Sequence, residues 1–157
     1  VVAEGSGSKV IRVGERLFGC RGGVRTLVGA RRREVRFRLF RFRGDQLALV
    51  RVAAGRSSIA FFDLGDRRRT FSTSRTYDDD RPADWTVTDL VVASTGDAAW
   101  MASPRDAPDR TSVWTRSGSK VQQVDSGRLR PGSLRLGAGE KGVNYTDLEG
   151  RPRNSGF

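Results

Sequence analysis

Val87-Thr88-Asp89-Leu90-Val91-Val92-Ala93-Ser94-Thr95-Gly96-Asp97-Ala98-Ala99-Trp100-Met101-Ala102 reads as a strand, a tight turn and a second strand. The apolar runs on either side are short and β-branched or aromatic, and the Ser94 to Asp97 segment holds the glycine and polar residues that turns require. Thr111 to Thr115 and Lys120 to Asp125 supply two further strands of the same kind. Residues 86–127 are therefore expected to form one four-stranded antiparallel meander.

The preceding stretch has the same plan. Val35-Arg36-Phe37-Arg38-Leu39-Phe40-Arg41-Phe42-Arg43 alternates apolar and basic residues with a phase slip at Leu39-Phe40. That slip predicts a β-bulge in a half-buried strand. Gly44-Asp45 is a turn, Gln46 to Val52 a second strand, Ser57 to Leu64 a third, and Arg67 to Ser72 a polar outer strand. Laid over the later unit, Gly44-Asp45 matches Gly96-Asp97 at a spacing of 52 residues, Ile59 matches Val113 at 54 and Gly65 matches Gly118 at 53. Three anchors agreeing within two residues indicate an internal repeat.

These residues resemble a β-propeller, in particular the divergent propeller-like repeats of bacterial extracytoplasmic proteins. The resemblance rests on Gly96-Asp97-Ala98-Ala99-Trp100, on Ser112-Val113-Trp114 with Gly118, and on Ser133-Leu134-Arg135-Leu136 followed by a turn and an aromatic strand ending at Glu149-Gly150. It spans Val10 to Gly150 and lacks the tryptophan-aspartate signature of the better-known repeats. It implies an all-β fold of antiparallel four-stranded blades, a binding role, an extracytoplasmic or secreted setting and no particular ligand. Full blades are expected at 35–72 and 86–127, with two or three strands before them and about two after. The partial ends would join as a third blade, giving a half-ring of about three blades completed by self-association or by further sequence. Residues 1–8, with Gly5-Ser6-Gly7-Ser8, have linker composition and are expected to be flexible, leaving 9–157 as a single domain. No segment carries a helical period.

Composition narrows the chemistry. The 157 residues carry 29 basic against 18 acidic side chains, a net charge of +11, and all the basic ones except Lys9, Lys120 and Lys141 are arginines. There is no histidine and a single cysteine. Histidine-based triads, histidine metal sites and cysteine zinc clusters are thereby excluded. Ser8-Lys9 and Ser119-Lys120 are only sequence neighbours in turns. Cys20, in the strand Arg16 to Cys20, reads as a small buried apolar residue. Gly137-Ala138-Gly139-Glu140-Lys141-Gly142 matches G-x-G-x-x-G, but strand-forming Val143 to Thr146 follows where a nucleotide site needs a helix, so it reads as a hairpin turn. Asp78-Asp79-Asp80 with Asp84 lacks the glycine and terminal glutamate of a calcium loop and reads as a solvated acidic segment.

No catalytic residue, metal ligand or cofactor is expected, and no apolar run is long enough for a membrane span. The leading expectation is a non-catalytic binding or scaffold module that acts through blade loops and associates with itself or another protein. The alternative is a polyanion or nucleic-acid binder whose contacts are Arg31, Arg32, Arg33, Arg67, Arg68 and Arg69, with Phe37, Phe40, Phe42 and Phe71 nearby for stacking. Against stacking, the 35–39 alternation directs aromatics inward and arginines to solvent. Trp85, Trp100 and Trp114 are read as packing between blades.

Overall fold

The computed structural model describes residues 1–30, 33–72 and 85–157. They form four antiparallel sheets, each a meander in chain order. Sheet I holds β1 (Ala3–Gly5), β2 (Ser8–Val13), β3 (Arg16–Arg21) and β4 (Val24–Ala30). Sheet II holds β5 (Val35–Arg43), β6 (Gln46–Ala53), β7 (Arg56–Asp63) and β8 (Arg68–Ser72). In sheet III are β9 (Trp85–Val92), β10 (Ala98–Pro104), β11 (Thr111–Ser117) and β12 (Lys120–Gly127). Sheet IV has three strands, β13 (Arg135–Leu136), β14 (Gly142–Thr146) and β15 (Pro152–Gly156), and a single 3-10 turn, Ala138–Glu140, lies between the first two.

Both four-stranded units expected from the sequence are present as sheets II and III. The expected bulge is there too: the β5–β6 register shifts between Arg38 and Arg41, with Leu39 in the left-handed region at φ 51°.

Two expectations are corrected. The N-terminal part is a full four-stranded sheet, separate from sheet IV, so four sheets stand where about three blades were expected. The first eight residues are not a free linker, because Ala3 pairs with Val10 and Gly5 with Ser8. Ser6 and Gly7, at φ 52° and 73°, form the two-residue turn of a hairpin, which demands small residues able to adopt positive φ. A flexible linker and a tight hairpin turn have the same composition, and a three-residue strand is too short to display alternation.

The sheets stack face to face, and strand parity divides the core. On β6, Leu47 and Leu49 meet Val10, Leu17 and Val28 of sheet I, whereas Ala48 and Val50 meet Val87, Leu90 and Trp100 of sheet III. On β10, Ala98, Trp100 and Ala102 face sheet II, and Ala99 and Met101 face Leu134, Val143 and Tyr145 of sheet IV. Each of these strands is buried on both sides, which is why its apolar run is continuous rather than alternating. Trp100 is fully buried and lies 6.2 Å from the Phe61 ring, and Trp85 and Trp114 pack on the same cluster. The tryptophans therefore serve as inter-sheet packing.

The first strands β1, β5, β9 and β13 touch in succession. Along this line the arginines of β5 reach the next sheet: Arg38 Nη2 donates to Val87 O at 2.7 Å and Arg41 Nε to Leu90 O at 3.0 Å. Gly132 N donates to Asp89 Oδ2 at 2.6 Å, which ties the approach to β13 to β9.

Candidate polyanion-binding end

The contacts between turns fix which strand ends lie together. At one end, the turn at Gly44 meets the β1–β2 and β3–β4 turns through Arg21 Nη1, which donates to Ser6 O at 2.7 Å and to Gly44 O at 3.1 Å. Glu140, in the β13–β14 turn, accepts from Ser94 N at 2.6 Å and Ser94 Oγ at 2.8 Å in the β9–β10 turn. At the other end, Arg105 Nη2 of sheet III donates to Gly55 O of sheet II at 3.0 Å, and the Phe37 ring of sheet II packs on Gly29 of sheet I.

At the Gly44 end two arginines have acidic partners, while Arg67, Lys120 and Lys141 are exposed there without an ion pair among the described residues. Arg21 pairs with Asp45 and Arg43 with Glu140. Gln46 Nε2 donates to Asp63 Oδ2 at 2.9 Å. Arg116 Nη1 donates to Gly96 O at 2.9 Å, and its guanidinium lies 4.8 Å from the Phe61 ring centroid. The hydrogen bonds from the Ser94 amide and hydroxyl, followed by Arg43, hold the Glu140 carboxyl below its ordinary pKa. Burial pushes Asp63 up, but the Asp66 amide and the Gln46 side chain outweigh it and the net shift is downward. This end has the character of a polar clasp joining all four sheets.

The Gly55 end of sheets I and II gathers more exposed arginines. Arg12 and Arg16 flank the β2–β3 turn, Arg33 and Arg36 the entry to β5, and Arg51 and Arg56 the β6–β7 turn, and all six are exposed. Among the described residues none of the six forms an ion pair with a carboxylate, although Glu15, Glu34, Asp106 and Asp109 lie on the same end of sheets I to III. Sheet IV differs at this end: Arg151 Nε sits 2.6 Å from buried Asp147, and Arg153 lies 3.3 Å from Asp125. Unpaired guanidiniums at neighbouring strand ends create a positive field with planar forks free to hold phosphate, sulfate or carboxylate oxygens.

Of the arginines expected as contacts, Arg33 is not brought together with Arg67, Arg68 and Arg69. Arg33 belongs to the basic end, and Arg31 and Arg32 lie outside the described residues. Arg67, Arg68 and Arg69 occupy the β7–β8 turn and the start of β8, at the Gly44 end, about 25 Å away along an eight-residue strand. There Arg68 pairs with Asp66 at 3.4 Å and Arg69 covers the Phe62 ring at 5.8 Å. Phe37, Phe40 and Phe42 pack against the core between sheets I and II, so they are not a stacking platform, and the Phe71 side chain lies outside the described residues. Sequence reading missed Arg12, Arg16, Arg36, Arg51 and Arg56 because they are scattered singly. The recoverable signal is that each flanks or opens a strand at the same end of a meander.

The remaining candidate chemistries are placed as follows. The Gly137 to Gly142 segment is the 3-10 turn of a hairpin leading into β14, as expected. Cys20 is buried, as expected of a small apolar residue. Asp78, Asp79, Asp80 and Asp84 lie outside the described residues. Among the described residues no group of three or more His, Cys, Asp or Glu is placed to hold a metal ion, and no helix is long and apolar enough to cross a membrane. No protein-family model matches the chain, and no curated protein matches it significantly.

Proposed function

We propose that the protein is a non-catalytic binding module whose sheets are consecutive propeller-like blades and whose ligand is a linear polyanion held across the Gly55 end of sheets I to III. The radial reading draws support from the succession of first strands β1, β5, β9 and β13 in contact. One observation carries the ligand class: Arg12, Arg16, Arg33, Arg36, Arg51 and Arg56 stand exposed together at the Gly55 end of sheets I and II without an acidic partner among the described residues, whereas at the Gly44 end Arg21 and Arg43 pair with Asp45 and Glu140 and the cations left unpaired, Arg67, Lys120 and Lys141, are spread over three sheets. With the described aromatics of this region turned inward, recognition is by backbone charge rather than by base stacking.

The test is binding of heparin and of duplex DNA across a salt series. Affinity should fall linearly in log salt, with a slope of about −0.9 per phosphate neutralised on the duplex. Serine at Arg12, Arg51 and Arg56 should remove most of the binding, and serine at Arg67, Arg68 and Arg69 should spare it. Equal losses from the two sets, or no binding at low salt, would reject the assignment.

A further inference from the structure

Leu39 sits in the middle of β5 at φ 51°, a conformation that a leucine in a strand adopts only under constraint. The extra residue of the bulge resets the side-chain phase. Without it, Arg36 and Arg38 would share a face of the strand with Phe40 and Phe42, and Arg41 and Arg43 would share the other with Phe37. With it, Arg36, Arg38, Arg41 and Arg43 stand opposite Val52, Val50, Ala48 and Gln46, every second residue of β6, and so point to one face. Phe37, Phe40 and Phe42 point to the other, into the core with sheet I. The result is a row of four exposed guanidiniums at a two-residue repeat of about 6.8 Å along the partner strand. Two of them are held in place. Arg38 Nη2 donates to Val87 O, and Arg41 donates through Nε to Leu90 O and through Nη1 to Phe40 O. A guanidinium has five N–H donors, so these bonds fix its plane and leave others for an incoming oxygen. Glu140 pairs with Arg43 and closes the row at the Gly44 end. Asp89 is buried with Oδ2 on the Gly132 amide, and among the described residues it forms no ion pair with Arg41. The other end of the row opens on the arginines around Gly55.

We infer, on the polyanion-binding reading of the Gly55 end, that this row is a track for the backbone of a single-stranded nucleic acid, which enters at that end and lays successive phosphates on Arg36, Arg38 and Arg41. The repeat of the row is close to the separation of neighbouring phosphates on an extended strand. A guanidinium whose plane is already fixed presents its fork to a phosphate with less freedom to lose. A duplex fits the Gly55 end but not the track. Its phosphates wind away from a straight line, and β5 lies between β1 and β9, which touch it on either side. Heparin, with sulfates at uneven spacing, gains from the charge of the end alone. With the β5 phenylalanines in the core, the track reads phosphate and not base, so sequence preference should be weak.

Fluorescence anisotropy of labelled oligothymidylate, of a duplex of equal length and of heparin, each titrated with the full chain across a salt series, provides the test. The single strand should bind more tightly than the duplex. Arg38→Gln and Arg41→Gln keep an amide able to donate to the β9 carbonyls. Each should weaken oligothymidylate binding about threefold and make its salt slope shallower by about 0.7, while duplex and heparin affinities hold. Glu140→Gln releases Arg43 as a fourth contact and should do the opposite, tightening the single strand and steepening its slope by about 0.7. A gain of this kind does not arise from a damaged fold. Single-strand binding no tighter than duplex binding, or insensitive to Arg38→Gln, Arg41→Gln and Glu140→Gln, would overturn the track alone if serine at Arg12, Arg51 and Arg56 still removes heparin binding. No binding of any of the three ligands at low salt would overturn the track and the Gly55 end together.

Discussion

Arg43 and Glu140 are 97 residues apart in sequence and joined by an ion pair, and the same carboxylate accepts from the amide and hydroxyl of Ser94. One side chain in a sheet IV turn thus fastens sheet II to sheet III. Glu140→Ala should destabilise the fold by about 2 kcal/mol, the scale of hydrogen bonds to a charged group. Urea denaturation followed by tryptophan fluorescence measures this, and Arg43→Ala should cost less, because Ser94 remains as donor.

The acid limb of stability should carry the Glu140 signature. Its folded pKa is held below the ordinary value near 4.5, first by the Ser94 amide. A depressed carboxyl contributes stability that is complete above its unfolded pKa and is lost as pH falls through the folded one. Asp63 acts in the same direction, and so does Asp147, where burial pushes up but the Arg151 amide and guanidinium pull further down. Asp89 opposes them, since burial raises its pKa despite the Gly132 amide and nearby Arg135 and Arg41, and protonation there favours the fold. Melting temperature should fall below about pH 4.5, and Glu140→Gln should flatten that fall. An unchanged profile in the glutamine variant would contradict the clasp.

Gly29 is a packing glycine. A Cβ there would stand 2.6 and 2.8 Å from atoms of the Phe37 ring. Gly29→Ala should therefore cost about 1–3 kcal/mol by overpacking, with the loss partly recovered by Phe37→Leu in the same chain. Denaturation midpoints of the single and double variants provide the test.

Removing the Trp100 side chain empties the centre of the core between sheets II and III. Trp100→Ala should cost about 3–5 kcal/mol. Trp114→Ala, at a partly buried site on the same cluster, should cost less. Equal costs would indicate that Trp100 is not the central element.

A gain of stability is expected at one turn. Ala54 is exposed with φ 48°, followed by Gly55 at 76°, between β6 and β7. Asparagine tolerates the left-handed region far better than alanine. Ala54→Asn should raise stability by about 0.5–1 kcal/mol, measurable as an upward shift in denaturation midpoint.

The two central sheets were legible because their strands are eight or so residues long, punctuated by Gly44, Gly96 and Gly118, and repeated. Trp100 and Trp114 were legible as packing because each sits within an apolar or β-branched strand run rather than in a turn. β1 was not, since Ala3-Glu4-Gly5 followed by Ser6-Gly7 has the composition of a linker whether or not it pairs. The alternation along β5 predicts solvated arginines, and they are exposed; yet Arg38, Arg41 and Arg43 spend donors on sheet III and Glu140, contacts nearly 50 or more residues away that no local pattern encodes. The basic end escaped for the same reason. Arg67 to Arg69 are clustered in sequence, whereas the clustering in space comes from single residues at strand ends.

The division of β6 and β10 between two cores has a mechanical consequence. Each is a party wall: Leu47 and Ala48, adjacent in the chain, belong to different rooms. A breach on one side of such a wall therefore leaves the strand half-anchored rather than free, and the molecule should come apart by peeling from its outer sheets inward. Amide exchange should then be slowest on β6 and β10 and fastest on β1 and β15, and a one-residue insertion in β6 would empty both of its rooms at once.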